Sequence, residues 1–230
     1  MNRRPFVLAG ALLLALALAA PGLAARVHVR VEGASTTIFG AAEPWVTPVR
    51  GTITPPAGAA VAVTADTPLG ALERASRLGE FYYRLESFSF GPYVAQIGRH
   101  AAAASTGWVY KVNGVSPPVG ANAYELKPGD RVLWYFARFG AGGGPRTLRL
   151  VRLPAERIDC IREPCPQPRR CYQAKAEADN GALTDARSVT FRLNGRAVAS
   201  RSGRICPRPG WRTLRATKRG HVRSQVLSGR

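Results

Sequence analysis

The chain has 230 residues, with 33 Lys and Arg against 14 Asp and Glu and a formal net charge of +19. At 46% hydrophobic residues, with 8 Phe, 7 Tyr and 4 Trp, it can fill a core, which excludes a globally disordered chain. Three His and one Met, the initiator, leave little material for metal binding or acid–base catalysis.

Met1–Pro5 carries Arg3 and Arg4, Phe6–Ala20 is apolar throughout, and Pro21-Gly22-Leu23-Ala24-Ala25 follows with small residues. This is the three-part pattern of an export signal over residues 1–25, with cleavage expected after Ala24 or Ala25. A membrane anchor is the alternative, but a span needs about 20 apolar residues and this run stops short at proline. No cysteine near the cleavage site offers lipid attachment. The mature chain is expected to be secreted or associated with the cell envelope, with no other membrane span.

Arg26–Val31 alternates, with Val27, Val29 and Val31 on one face and Arg26, His28 and Arg30 on the other, which predicts a half-buried strand with a solvated polar side. Ser35–Phe39 reads as a second strand, and Ala41–Gly58, with four prolines, as an irregular loop. Asp66-Thr67-Pro68 starts a helix over Thr67–Gly79, the one substantial helix expected, with Leu69, Leu72, Ala75 and Leu78 as its apolar positions. Glu80–Ile97 is aromatic and strand-like. Gly107–Val112 runs into Asn113-Gly114, a strong hairpin cue because both turn residues need positive φ. Lys127–Asp130 is a tight turn, and Arg131–Ala137 a strand with Val132, Trp134 and Phe136 on one face, Leu133 and Tyr135 on the other.

Phe139–Pro145 is glycine-rich and reads as a linker over residues 139–145. It divides unlike halves: residues 26–145 hold 11 basic and 8 acidic residues, residues 146–230 hold 20 and 6. Beyond it, Thr147–Val151, Tyr172–Ala178, Val189–Leu193, Thr213–Thr217 and Val222–Leu227 are strand-length, and Asn194-Gly195 marks another hairpin. Cys160, Cys165, Cys171 and Cys206 are even in number behind an export signal, which favours two disulfides of open connectivity. Their spacing lacks both the usual zinc knuckle and the redox Cys-x-x-Cys, the alternative uses.

Val31-Glu32-Gly33, Thr37-Ile38-Phe39, the helix, and Gly107-Trp108-x-Tyr110-x-Val112-Asn113-Gly114 through Tyr124-x-Leu126-x-x-Gly129-Asp130-x-Val132-x-Trp134 resemble the transcobalamin C-terminal-like domain family of exported bacterial proteins. The resemblance covers about residues 27–137. It implies an α+β domain over residues 26–138, a β-grasp-like mixed sheet with one helix. After the Phe191-x-Leu193-Asn194-Gly195 hairpin, Gly210-Trp211-Arg212-Thr213-Leu214 through Gly220-His221-Val222-Arg223-Ser224 resembles the closing strands of the small immunoglobulin-like modules that follow such domains, implying an all-β sandwich over residues 146–230. In transcobalamin-type proteins the first domain covers one face of a corrin ring and an α/α barrel holds the other; this chain has no sequence for a barrel.

No nucleophile elbow, zinc-protease motif, phosphate loop or dinucleotide glycine pattern is present, and no carboxylate pair is placed for acid–base work, so neither an enzyme nor a cofactor or metal is expected. The aromatic residues Trp108, Tyr110, Tyr124, Trp134 and Tyr135 are the candidate ligand-binding set, with core packing the competing explanation for the two tryptophans. Tyr93 and Trp45 are further aromatics that an exposed position would make available for stacking. Arg212, Arg215, Lys218, Arg219 and Arg223 are the candidates for polyanion binding, toward anionic wall polymers or lipid head groups. Only four of the basic residues are Lys, so a GC-rich coding sequence competes as the source of the excess. The expected function is a non-catalytic, monomeric envelope binding protein for a small ligand or glycan, held at an anionic surface. A corrinoid-type carrier and a structural spacer are the alternatives; nucleic acid is not an expected partner after export.

Overall fold

Alternating valines set the first strand at the heart of a mixed sheet. In the computed structural model, which describes residues 24–140, 144–154 and 170–229, the chain forms β1 (Val27–Glu32), β2 (Thr37–Phe39), β3 (Trp45–Val46), β4 (Gly51–Ile53), β5 (Val61–Val63), α1 (Pro68–Gly79), β6 (Tyr83–Phe88), β7 (Gly91–Ile97), β8 (His100–Ala101), β9 (Thr106–Val112) and β10 (Arg131–Arg138). After these come β11 (Arg146–Arg152), β12 (Tyr172–Glu177), β13 (Leu183–Asp185), β14 (Val189–Leu193), β15 (Arg196–Ser200), β16 (Arg204–Ile205), β17 (Thr213–Thr217), β18 (His221–Val222) and β19 (Leu227–Ser228). The regular structure of the described residues is thus mostly strand, with a single helix. The export-signal pattern of residues 1–23, and with it Cys160 and Cys165, lies outside the described residues.

The first sheet runs β2-β1-β10-β9, with β1 and β10 parallel and the other neighbours antiparallel. One face carries Val27, Val29, Val31, Val132, Trp134 and Trp108, which share a core with Leu69, Leu72 and Ala75 of α1. Thr67 caps the helix, its Oγ1 accepting from the Gly70 N–H at 3.1 Å, with Pro68 in the first turn. The helix ends at Gly79 as expected, with Glu80 as a left-handed cap at φ 51° and its N–H on the Ser76 carbonyl. Leu78, expected on the apolar face, is 59% exposed. At about 100° per residue, nine residues from Leu69 make two and a half turns, which puts Leu78 on the opposite side.

The other face of this sheet departs from the sequence reading. Arg30, expected on a solvated side, is buried together with Glu32, and Leu133, Tyr135 and Ala137 pack with Val109 against Val222 of β18. The second module covers this face, so β1 and β10 are buried on both sides. The loop expected over Ala41–Gly58 contains β3 and β4, each paired to a neighbour.

The Asn113-Gly114 turn forms, with φ 51° and 88° and reciprocal bonds between Val112 and Val115. The return strand does not follow it directly: β9 pairs with β10, after a long excursion. Asn113 spans the gap, its Oδ1 accepting from the Arg131 N–H and its Nδ2 donating to Asp130. Asn194 repeats the device, joining β14 to β15 through Asn194-Gly195 while its Oδ1 accepts from the N–H groups of Arg212 and Thr213.

In the second module, one sheet runs β13-β12-β11-β18 and the other β15-β14-β17-β19. Leu148, Leu150, Tyr172, Ala174 and Ala176 of the first meet Val189, Phe191, Leu214 and Ala216 of the second in one core. Cys171 and Cys206 form a disulfide that ties the start of β12 to the segment after β16.

Two buried charges, Glu32 and Lys111, help to lock the modules together. Glu32, 0% exposed, accepts from Arg223 Nη2 at 2.7 Å and Arg30 Nη1 at 3.2 Å, and also from Arg215. Lys111, also fully buried, donates across the junction to the Ala178 carbonyl and to Asp179 Oδ1, each at 3.1 Å. The Ser116 N–H reaches the Asp179 carbonyl at 2.8 Å, adding a backbone tie between the same segments.

Candidate functional site

Beside the β6–β7 hairpin, the first sheet leaves a cleft of about 510 Å³, within the range of small-ligand sites. Trp108 and Tyr110 of β9 and Trp134 and Tyr135 of β10 all line it, so four of the five predicted aromatics converge. Tyr124 does not; it packs half-buried against the core behind. Trp108, Trp134 and Tyr135 are each 2% exposed, so they belong to the core as much as to the cleft. Accessible surface comes from Tyr110, from the half-buried Tyr93 that the sequence offered as a further stacking aromatic, and from two residues it did not single out, Phe90 (75% exposed) and Phe139 (43% exposed).

Local geometry holds these groups. The Tyr110 ring lies 5.4 Å from that of Trp134, tilted by 34°, and its hydroxyl donates to the Val119 carbonyl at 2.7 Å, pinning the loop that carries Pro117 and Pro118. Trp108 Nε1 donates to the His100 carbonyl at 2.8 Å, and Trp134 Nε1 to the Pro68 carbonyl at 3.3 Å. At the hairpin tip Phe88 and Phe90 stack at 5.1 Å. Gly107 lets Tyr93 approach the sheet: a Cβ there would sit 2.4 Å from the Tyr93 hydroxyl oxygen.

The cleft's polar groups are few. Burial, with a small contribution from Tyr124, pushes the Tyr110 hydroxyl up to about 12. Burial first, and then the Asp179 charge, raises Tyr135 as well, while a hydrogen bond with Ser116 opposes the shift. Both hydroxyls stay protonated at neutral pH. Among the described residues Asp179 is the one charged side chain in the lining, and it comes from the second module. Its Oδ1 is paired with buried Lys111; among the described residues Oδ2 has no protein partner, and the side chain is 57% exposed. The site therefore offers aromatic surface, neutral hydroxyls and one carboxylate oxygen whose charge is offset behind it.

The five predicted polyanion residues separate. Arg212 and Arg219 are exposed. Lys218 donates to the Arg187 carbonyl at 2.8 Å. Arg215 and Arg223 turn inward to Glu32, with side chains only 16% exposed. Burial holds the Arg215 guanidinium below its ordinary value, and the Glu32 charge opposes that shift. Arg192, Arg196 and Arg201 are exposed on and beside β14 and β15, positions the sequence reading did not single out. Among the described residues no group of three or more His, Cys, Asp or Glu is placed to hold a metal, and no helix is long and apolar enough to cross a membrane.

The arrangement is a mixed sheet with one covering helix and an aromatic cleft at its hairpin side. Residues 66–138, from the residue before the helix cap to the end of β10, match a family described as a domain of unknown function, DUF4430, which is a transcobalamin-like domain family. The match takes in α1 and the strands from β6 to β10, including the five candidate ligand-binding aromatics but not Trp45. No curated protein matches the chain.

Proposed function

We propose that the protein is a non-catalytic binding protein of the cell envelope whose cleft takes one or two rings of a neutral glycan. The observation that carries this is the pairing of aromatic surface with Asp179 in one cleft. A pyranose ring presents C–H groups on its faces and hydroxyls on its rim; the first suit Tyr110, Phe90 and Phe139, the second suit Asp179 Oδ2 and Ser116. Lys111 offsets the only lining charge at 3.1 Å, which disfavours strongly anionic or cationic ligands. The exposed arginines of the second module, among them Arg192, Arg196, Arg201, Arg212 and Arg219, supply attraction to an anionic wall or lipid surface.

Calorimetric titration with chitohexaose, a neutral N-acetylglucosamine oligomer, tests the reading. Binding in the micromolar range is expected, weakened about tenfold in Asp179→Asn, the loss of one good charged hydrogen bond. The Asn retains an oxygen for Lys111, which also keeps the Ala178 carbonyl, and a melting curve on the variant separates lost binding from a loosened junction. No response to chitohexaose or other neutral oligosaccharides contradicts the glycan reading. A spectral shift with cobalamin in its place assigns the cleft to a flat ring, and silence toward both leaves a structural spacer.

A further inference from the structure

We infer that export processing cuts the chain between Ala24 and Ala25, and that the new α-amino group of Ala25 is anchored by Asp66. This inference is independent of what the cleft binds. The Ala25 N lies 2.6 Å from Asp66 Oδ2, and Ala25 itself is 3% exposed, its methyl group part of the first module's core. Ala24, one residue earlier, is exposed. Among the described residues Ala25 is thus the first that packs into the core.

Asp66 is built to receive that terminus. It is 5% exposed and immediately precedes the Thr67 cap of α1, and Arg50 clamps its carboxylate through Nε at 2.8 Å and Nη2 at 2.6 Å. The Arg50 hydrogen bond is the main reason its carboxyl is held below the usual range; burial opposes this, and the Ala25 N–H adds to it. The Asp66 carbonyl also accepts from the Leu126 N–H at 2.7 Å, so the acceptor is fixed at both ends.

Sequence chemistry selects the same bond. A cut after Ala24 puts Gly22 and Ala24 in the two positions where an export peptidase requires small residues; a cut after Ala25 puts Leu23 in one of them. Hydrolysis by such a peptidase breaks the Ala24 C–Ala25 N bond. Water gives its hydroxyl to the Ala24 carbonyl carbon and a proton to the Ala25 nitrogen, which at neutral pH gains a second proton as an ammonium. The neutral amide contact to Asp66 becomes an ion pair. A cut after Ala25 removes both the core methyl and this contact.

N-terminal sequencing of the protein recovered from its exporting cell, with melting curves of three chains, tests the inference: one beginning at Ala25, the same chain N-acetylated, and one beginning at Arg26. Sequencing is expected to read Ala25-Arg26-Val27. The free-amine chain is expected to melt higher than the Arg26 chain by about 2–4 °C or more, the span of a single modest interaction in a domain of this size. Its advantage over the acetylated chain should be full below about pH 8 and fade as pH rises through the elevated amine value, since the folded state binds that proton more tightly than the unfolded one. Any other N-terminus overturns the processing site; equal melting of the free-amine and acetylated chains at pH 6 overturns the anchoring.

Discussion

Arg223 Nη2 donates to Glu32 Oε2 at 2.7 Å across 191 residues of sequence, joining the last segment of the second module to the first strand of the first. The carboxylate also bonds Arg30, Arg215 and the Thr37 hydroxyl, so three guanidinium groups converge on one fully buried acid, with Glu43 a second carboxylate partner of Arg30. Removing a single partner of a buried ion cluster leaves unmatched charge, at a cost of about 3–5 kcal/mol. Glu32→Gln is therefore expected to lower the urea midpoint by that much stability. Unchanged unfolding would show that the junction does not couple the modules.

Asp66 sets an acid limit. Its carboxyl lies below the usual range in the folded protein, so the unfolded chain takes up the proton at higher pH. The stability it supplies is full above about pH 4 and is lost as pH falls through the folded value. Melting curves between pH 2 and 6 should show a decline that Asp66→Asn flattens, with a lower plateau at neutral pH.

Reduction of Cys171–Cys206 frees a link across 35 residues within the second module. Native disulfides in small exported domains contribute about 2–5 kcal/mol. Replacing both cysteines by Ala is expected to lower the melting temperature measured in buffer without reductant. The cleft, formed largely by the first module, should keep its ligand response while the fold holds.

Exposed and inward arginines should behave differently. Replacing Arg212 and Arg219 with Ser is expected to weaken retention on anionic vesicles or purified wall. That retention should fall steeply as ionic strength rises past about 0.1 M, where the screening length drops to about 10 Å. Arg215→Ala should instead destabilise the protein, because it leaves Glu32 short of a buried partner. Sedimentation with vesicles and a melting curve on each variant separate the two effects.

Much of the first module was legible in local pattern. Valine alternation marked β1, Thr67-Pro68 marked the start of α1, and the Trp and Tyr spacing put four aromatics on two strands, which the structure pairs as β9 and β10. What escaped was set by long-range contact. The polar side of β1 looks solvated because nothing local shows that Arg30 and Glu32 meet Arg215 and Arg223 of the second module. Asp179 lies in an unremarkable loop and enters the cleft only through buried Lys111 and the backbone bond to Ser116. Phe90 did carry a signal, the Phe88-Ser89-Phe90-Gly91 tip of an aromatic hairpin, where an apolar side chain has no core to enter.

The most direct test is a set of amide chemical-shift maps with and without chitohexaose. Perturbations concentrated on Phe90, Tyr93, Tyr110, Ser116, Phe139 and Asp179 are expected, with Asp179→Asn reducing them. Perturbations confined to the arginine-rich strands, or none at saturating oligosaccharide, would contradict the assignment of the aromatic cleft as the binding site.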